Sequence, residues 1–274
     1  MAYTASKGKA KALPLALHRH DRQADRPGDL AAQPAPGGLL HRLTGGISRR
    51  LLARYLDVVA SIYIFNEHRG YTSLDRVLEA LRQRHPEARD FIAAVEKHRA
   101  DERRHYAMFK GWFERQGRMP LAVDKTCAHI DRMIRLTFGC DIDGLDTKAV
   151  VASAALFERL CRVIILTEQR GVRQVDIMLA MPVILRDTRL RRIFRVIERD
   201  EPSHWQPYDA WLRAHGTAQA TRAERLADWW VHKSLVLVKL PLLFLNPLTP
   251  RRKAWHDAGE AVNDALAFAD SADF

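Results

Sequence analysis

The stretches "KHRADERRHYAMF" (residues 97–109) and "ERDEPSHWQPY" (198–208) each contain the pattern Asp-Glu-x-x-His within a charged, helix-prone context. Each follows an apolar run that ends in Glu-x-Arg-Gly, in "IYIFNEHRGYTSLDRVL" (62–78) and in "VIILTEQRGVRQVDIML" (163–179). Glu67 and Glu168 belong to the two Glu-x-Arg-Gly motifs, and Glu102 and Glu201 to the two Asp-Glu-x-x-His motifs. The number of residues between the first pair is almost the same as the number between the second pair. The sequence therefore contains two copies of one unit, in which an apolar helix, a turn and a second helix follow one another.

Apolar residues recur three and four apart from Ile47 to about residue 268, which predicts an all-α fold. Proline, glycine and capping residues interrupt this pattern at His85-Pro86, 117–120, 139–146, 186–188 and Gly216. The interruptions predict long helices at about 48–84, 88–116, 147–184 and 188–215, a shorter helix near 121–138, and further helices after 221.

The first 46 residues mix Lys, Arg, Ala, Pro and Gly without a sustained period, and such a segment has too little apolar surface to order itself. We therefore predict three parts: a flexible basic tail (1–46), a helical bundle (47–216), and a helical extension (217–274) that packs on the bundle or at an interface.

The four motifs converge if each unit is an antiparallel helical hairpin, because residues equally far from the turn then lie at the same height. The midpoint between Glu67 and Glu102 falls beside Pro86, and the midpoint between Glu168 and Glu201 falls just before the pair Asp187-Thr188. A glutamate and a histidine three apart share one helix face. The candidate metal ligands are therefore Glu67, Glu102, His105, Glu168, Glu201 and His204.

Four carboxylates and two imidazoles suit a pair of divalent iron or manganese ions. Burying four carboxylates without a cation would cost several kcal/mol each. A glutamate on each of two helices, with Glu-x-x-His on each of the other two, resembles the ferritin-like di-iron carboxylate superfamily over about residues 48–215. The resemblance implies a four-helix bundle with a crossover helix and additional C-terminal helices, and two iron ions, with manganese as an alternative.

Acidic and basic residues next to the ligands are candidates for a supporting layer. Asp101 and Asp200 lie four residues before the two histidines, and metal-bound histidines usually donate their second nitrogen to such an acceptor. The resemblance implies that each aspartate serves the histidine of the other half. Arg69 and Arg170 follow the ligating glutamates by two, and either pair with these aspartates, close the site electrostatically or lie on the surface. The glycine after each arginine is explained by close helix packing.

Several other residues compete with or modify this site. Glu158 is an alternative to Glu168, but it lies about three turns away and has no counterpart in the first unit. Pro202 lacks an amide donor and should kink or loosen its helical turn. Three histidines without repeat partners are predicted to be structural or exposed, namely His68, His98 and His129.

The net charge of +11 favours anionic partners, but part of it lies in the N-terminal tail, and nucleic acid is not the partner we expect. Three cysteines without CxxC spacing indicate neither a disulfide framework nor a structural zinc site, which fits a reducing cytoplasm. The N-terminus has no continuous apolar stretch typical of a secretory signal.

The segment "LVLVKLPLLFLNPL" (235–248) is too short and too interrupted for a membrane-spanning helix. A core position or a contact in a homo-oligomer explains it most simply. Aromatic and basic residues at its flanks, Trp229, Trp230, Arg251 and Arg252, are also typical of peripheral membrane contact through residues 229–252.

Two reduced metal ions bridged by carboxylates can give electrons to dioxygen or peroxide, so oxidation is the expected chemistry. The crossover helix and the C-terminal segment exceed what iron storage requires and could line a substrate channel. The chain has no four-cysteine iron module, so a separate protein would donate electrons. We predict a di-iron enzyme that hydroxylates, desaturates or otherwise oxidises a small organic substrate. The alternatives are a ferroxidase or peroxide-detoxifying protein, and a non-catalytic metal-binding scaffold that contacts nucleic acid or membrane.

Overall fold

The computed structural model describes residues 39–260, with side chains described from Ser48 onward. The predicted all-α class is confirmed over these residues, which contain no β-strand and a single isolated antiparallel bridge between Leu121 and Arg251. A π-helical turn, Leu235–Lys239, joins the last two helices. The α-helices are α1 (Leu39–Arg84), α2 (Arg89–Glu114), α3 (Asp124–Cys127), α4 (His129–Phe138), α5 (Thr147–Ala152), α6 (Ala154–Ala180), α7 (Pro182–Arg186), α8 (Thr188–Asp200), α9 (Pro202–His215), α10 (Arg222–Ser234) and α11 (Leu240–Leu245).

The ends of the chain differ from the prediction or lie outside the described residues. Helix α1 begins at Leu39, and its backbone stays helical through Gly45 and Gly46, although each glycine costs a helix about 1 kcal/mol relative to alanine. The rest of the predicted tail, 1–38, lies outside the described residues. At the other end the helices stop at Leu245, residues 246–260 form no helix, and 261–274 are not described. Contacts group the described residues from Thr44 onward into one compact unit.

Three helices predicted as continuous are divided, one into three parts and two into two. The predicted helix 147–184 breaks at Ser153, whose hydroxyl accepts a hydrogen bond from the Leu156 amide and so begins α6. It breaks again at Met181, just before Pro182, which begins α7. The predicted helix 188–215 breaks at Glu201, because Pro202 cannot donate an amide hydrogen bond, as the sequence predicted. The predicted helix 121–138 becomes α3 and α4. The predicted start near 188 is correct, and Asp187 caps α8.

A polar layer separates two large apolar clusters of the core. The first cluster contains Leu74–Leu81 from α1 and Phe157–Ile165 from α6, and the second contains Tyr106–Phe113 from α2 and Leu190–Ile197 from α8. Along α2, α6 and the α8–α9 pair, the motif residues lie between the stretches that build these two clusters. The candidate ligands therefore lie in the interior, with apolar packing on both sides.

Buried ion pairs attach α10 to α6. The Arg162 Nε atom lies 3.0 Å from the Glu224 carboxylate, and Arg170 pairs with Asp228. Glu224 also completes a capping box with Thr221 at the start of α10. These contacts hold α10 against the helix that contributes Glu168.

Asp228→Asn is expected to destabilise the fold by about 3 kcal/mol, because it leaves the buried guanidinium of Arg170 without its counter-charge. Urea unfolding followed by circular dichroism measures the change. Asp176→Asn is the matched control, since Asp176 is exposed on α6, and it should shift the free energy of unfolding by no more than about 0.5 kcal/mol. Equal effects of the two substitutions would contradict this account of α10.

Candidate metal centre

Five of the six predicted ligands come together in the polar layer, in two groups that share one residue. The ligand-type atoms within each group all lie within 4.8 Å of one another. One group is Glu67, Glu102 and His105; the other is His98, Glu102, Glu168 and His204. Because Glu102 belongs to both, its carboxylate lies between two positions that could each hold a metal ion.

The sixth predicted ligand, Glu201, lies at the edge of the same cluster. It is buried at the break between α8 and α9, with its Oε2 atom 3.9 Å from the Nδ1 atom of His204. That Oε2 atom has no hydrogen-bonding partner among the described residues. A buried carboxylate oxygen without a donor needs a cation or a proton to balance it.

The two motif histidines are oriented in the same way. The Nδ1 atom of His105 is 3.2 Å from Glu67, and the Nδ1 atom of His204 is 3.3 Å from Glu102. Both Nδ1 atoms therefore face the carboxylates, and both Nε2 atoms face away from them.

The outward nitrogens contact the aspartates of the opposite repeat. His105 Nε2 is 3.2 Å from Asp200, and His204 Nε2 is 3.3 Å from Asp101. An imidazole whose Nε2–H is donated to a carboxylate keeps Nδ1 unprotonated and available to a metal. This exchange between halves is the arrangement that the resemblance implied for Asp101 and Asp200.

Arg104 joins the two aspartates, and sequence analysis missed it. Its Nη2 atom lies 2.7 Å from Asp101 and 2.5 Å from Asp200. Lys97 adds a second cation to Asp101. Because Arg104 has no counterpart in the second repeat, the repeat comparison gave no signal for it.

His98, predicted to be structural or exposed, is buried and lies among the candidate ligands, which the prediction did not include. Its Nε2 atom is 3.6 Å from Glu102 and 3.9 Å from Glu168, and its ring stacks on that of His204 with centroids 4.2 Å apart. The Tyr208 hydroxyl contacts its Nδ1 atom. A signal was present in the sequence, since residues 98, 102 and 105 share one helix face.

The glycine of each Glu-x-Arg-Gly motif makes room for a glutamate of the partner helix. A Cβ atom on Gly70 would collide with the Glu102 carboxylate, and one on Gly171 would lie 3.1 Å from Glu201 Oε1. The two repeats therefore use their glycines in the same way, to admit a carboxylate rather than only to pack helices closely.

Burial and crowding raise the pKa of three carboxyl groups. Burial raises the pKa of Glu168 to about 7, and the nearby charge of Glu102 adds to the effect. Burial raises the pKa of Glu67 and that of Glu201 well above the usual range, and repulsion by neighbouring glutamates adds to it. Without a cation, these groups would hold protons that a metal ion would displace.

Glu102 and His204 form a charged pair at the middle of the cluster. Burial works to raise the pKa of Glu102, but the hydrogen bonds from His204 and His98 outweigh it and lower the pKa below the usual range. Burial likewise works to lower the pKa of His204, but Asp101 and Glu102 raise it to about 10. The carboxylate that lies in both groups is therefore the one most strongly held in its charged form.

A cavity of about 80 Å³ adjoins the carboxylates. Glu67, Glu102, Glu168 and Glu201 all contribute to its walls. Four buried polar atoms on its lining residues lack hydrogen-bonding partners within the described chain: the Tyr63 hydroxyl, Asn66 Oδ1, His129 Nδ1 and the Glu201 Oε2 atom. Unpaired buried polar atoms around a cavity need ordered water or a bound ion as hydrogen-bonding partners.

The remaining candidates do not contact the site aspartates. Of the alternatives for the two arginines, pairing with those aspartates is wrong, because Arg69 pairs with Asp131 and Asp143 while Arg170 pairs with Asp228. Arg170 is buried and lines the carboxylate cavity, where its charge partly offsets the burial that raises the pKa of Glu168. His68 contacts Glu260 instead of the centre. Glu158 pairs with Arg162 and hydrogen-bonds the Thr217 amide, so it does not replace Glu168.

No family model, curated protein or solved structure matches this chain. The function is therefore inferred from the ligand-type residues and their surroundings. Seven buried or partly buried carboxylates and imidazoles, with aspartates that fix the imidazole orientation, fit two divalent cations that prefer oxygen and nitrogen donors. The resemblance to the ferritin-like superfamily stays a prediction based on the motif residues.

Gly70→Ala is expected to weaken divalent-metal binding by at least about tenfold, because the added methyl group displaces the Glu102 carboxylate from the position common to both groups. Gly111→Ala in α2 is the control, since its Cβ would meet no atom within 4 Å. Competition with a chromophoric chelator measures both affinities. Unchanged affinity in Gly70→Ala would contradict the role assigned to Glu102.

Metal-free protein is expected to lose thermal stability as the pH rises from 6.5 to 8.5. The folded pKa of Glu168 is about 7 and that of His204 about 10, against ordinary values of 4.5 and 6.5. A pKa raised by folding adds stability below the unfolded value and loses it as the pH passes the folded value. Melting temperatures across this range measure the slope. Most of the slope comes from His204, so Glu168→Gln should reduce it only at the lower end of the range, up to about pH 7. Bound metal should flatten the whole profile, whereas a melting temperature that rises with pH would refute the prediction.

Proposed function

We propose that this protein is a ferritin-like four-helix-bundle oxidoreductase that holds two iron ions and uses dioxygen to oxidise a small organic substrate. The observation that carries the proposal is the pair of metal-ligand groups that share Glu102 in a buried layer beside an apolar cavity. Manganese would fit the same donors. Two reduced iron ions bound there would supply the electrons that dioxygen activation requires.

The residues of the chain have separate parts in this proposal. Glu67 with His105, and Glu168 with His204, would bind one ion each, with Glu102 between them. Asp200 and Asp101 hold the two imidazoles with their Nδ1 atoms toward the ions. The two apolar clusters exclude bulk water, which strengthens the electrostatic interactions within the layer.

A second cavity, of about 60 Å³, would receive the group to be oxidised. Its walls are mainly apolar, with contributions from α1, α4 and α6, and it reaches His98 and Glu168. Gly70, Thr167 and Glu168 line this cavity as well as the carboxylate cavity. A substrate C–H or N–H bond placed here would lie next to the ligand group that contains His98.

The small size of both cavities favours a second candidate function. Volumes of about 80 and 60 Å³ admit dioxygen or hydrogen peroxide directly, whereas a larger organic molecule would require side chains to move. Ferroxidase or peroxide-consuming activity would need no such movement.

Anaerobic titration with ferrous iron tests the metal centre before any activity is known. The expected stoichiometry is about two ions per chain, because two groups are present. Exposure to oxygen should then consume about one dioxygen for each two ferrous ions, with matching changes in absorption and Mössbauer spectra. Mineral growth beyond two ions per chain would instead support ferroxidase activity, and oxygen uptake sustained by a reductant and an organic substrate would support the oxygenase.

Glu102→Ala and Glu201→Ala should each lower the number of bound ions, Glu102→Ala the more because its carboxylate belongs to both groups. Glu114→Ala, an exposed residue at the end of α2, is the matched control and should leave two ions bound. If both site variants bind as much iron as the unmodified protein, the proposed centre is wrong.

A further inference from the structure

The C-terminal helical segment exposes large apolar side chains along its length, from Leu226 to Leu248. This docking face runs along α10, the π-helical turn and α11, and continues past the end of α11. The exposed fractions reach 67% at Leu237, 71% at Leu245 and 86% at Leu248. Its exposed apolar residues are Leu226, Trp229, Trp230, Val236, Leu237, Val238, Leu242, Leu245 and Leu248. So many exposed large apolar side chains in one segment indicate a binding surface.

The π-helical turn shapes the middle of this face. The Leu240 amide donates to the Leu235 carbonyl, five residues earlier, and Pro241 follows in the first turn of α11. The wider turn leaves Val236, Leu237 and Val238 exposed together, while Leu235 and Leu243 pack into the core. Three successive apolar side chains thus protrude at the centre of the face.

The polar rim of the docking face is basic. Residues 221–253 contain seven Lys and Arg and two carboxylates, and both carboxylates are turned inward, Glu224 to Arg162 and Asp228 to Arg170. The exposed cations of the rim are Arg222, Arg225, Lys233 and Lys253, whereas the guanidinium of Arg251 pairs with Asp57. The face therefore offers apolar side chains and positive charge without an exposed carboxylate of its own segment.

We propose that this face binds the surface of an anionic phospholipid membrane. Exposed leucines and valines would enter the boundary between headgroups and acyl chains, the paired tryptophans would lie at headgroup level, and Lys233 and Lys253 would contact lipid phosphates. No helix within residues 39–260 has the length and apolarity to cross a bilayer. The segment would therefore lie along the membrane plane.

The charge of the rim favours this partner over a second copy of the chain. A symmetric dimer through the docking face would place two basic rims against each other, and neither copy would supply exposed carboxylates from this segment. Anionic headgroups provide the missing negative charge. The proposal does not depend on the chemistry of the metal centre.

Sedimentation of the full-length protein with vesicles tests the proposal. We expect binding to vesicles of phosphatidylcholine with phosphatidylglycerol, and much weaker binding to phosphatidylcholine alone. The double variant Leu237→Ser/Leu242→Ser should weaken binding by at least about tenfold, because two exposed leucines would no longer enter the bilayer. Lys233→Gln/Lys253→Gln should weaken binding to the anionic vesicles by about tenfold.

Leu185→Ser is the matched control, since Leu185 is an exposed leucine on α7, and it should bind vesicles as the unmodified protein does. Quenching of tryptophan fluorescence by brominated lipid should be reduced in Trp229→Phe/Trp230→Phe. If Leu237→Ser/Leu242→Ser binds vesicles as well as the unmodified protein does, another part of the chain binds the membrane and the proposal is overturned. Equal binding to both vesicle types would also overturn it. A third contrary result is an unmodified protein that does not bind vesicles but self-associates in ultracentrifugation, with the self-association abolished by the two serine substitutions.

Discussion

The buried negative charge of four glutamates is the constraint on which the rest of this structure depends. Glu67, Glu102 and Glu201 are buried and Glu168 is partly buried, in a layer with apolar clusters on both sides. Removing carboxylates from water costs several kcal/mol each unless charge or hydrogen bonds compensate. Within the described chain, His204 and His98 compensate Glu102, while Glu201 keeps an oxygen without a donor. Bound protons or divalent cations would supply the remaining compensation.

The supporting contacts make the two repeats dependent on each other. Each motif histidine donates across to the aspartate of the other repeat, and Arg104 contacts both aspartates. Neither hairpin can complete its own ligand geometry alone, because the group that orients its imidazole belongs to the other hairpin. A shift of α2 against the α8–α9 pair would disturb both histidines together, so the interface between the repeats fixes the geometry of the whole centre.

The sequence predicted those features that repeat or follow helical periodicity. The all-α class, the motif residues and the cap at Asp187 could be found because period, spacing and residue type carry them. His98 and Arg104 were missed because each occurs in one repeat only, so comparing the repeats gave them no weight. The partners of Arg69 and Arg170 come from α4, from the loop after it and from α10. Such contacts depend on how helices outside the motifs pack, which motif spacing does not determine.

The presence of His98 in one repeat only makes the two ligand groups different. The group around Glu67 contains one histidine, whereas the group around Glu168 contains two, because His98 joins His204 there. Ions held in the two groups would differ in donor set and in charge. The apolar cavity reaches His98 and Glu168, whereas neither Glu67 nor His105 lines it. The two repeats therefore build a nearly symmetric ligand layer, and His98, which breaks the symmetry of the two ligand groups, lies on the side of the apolar cavity.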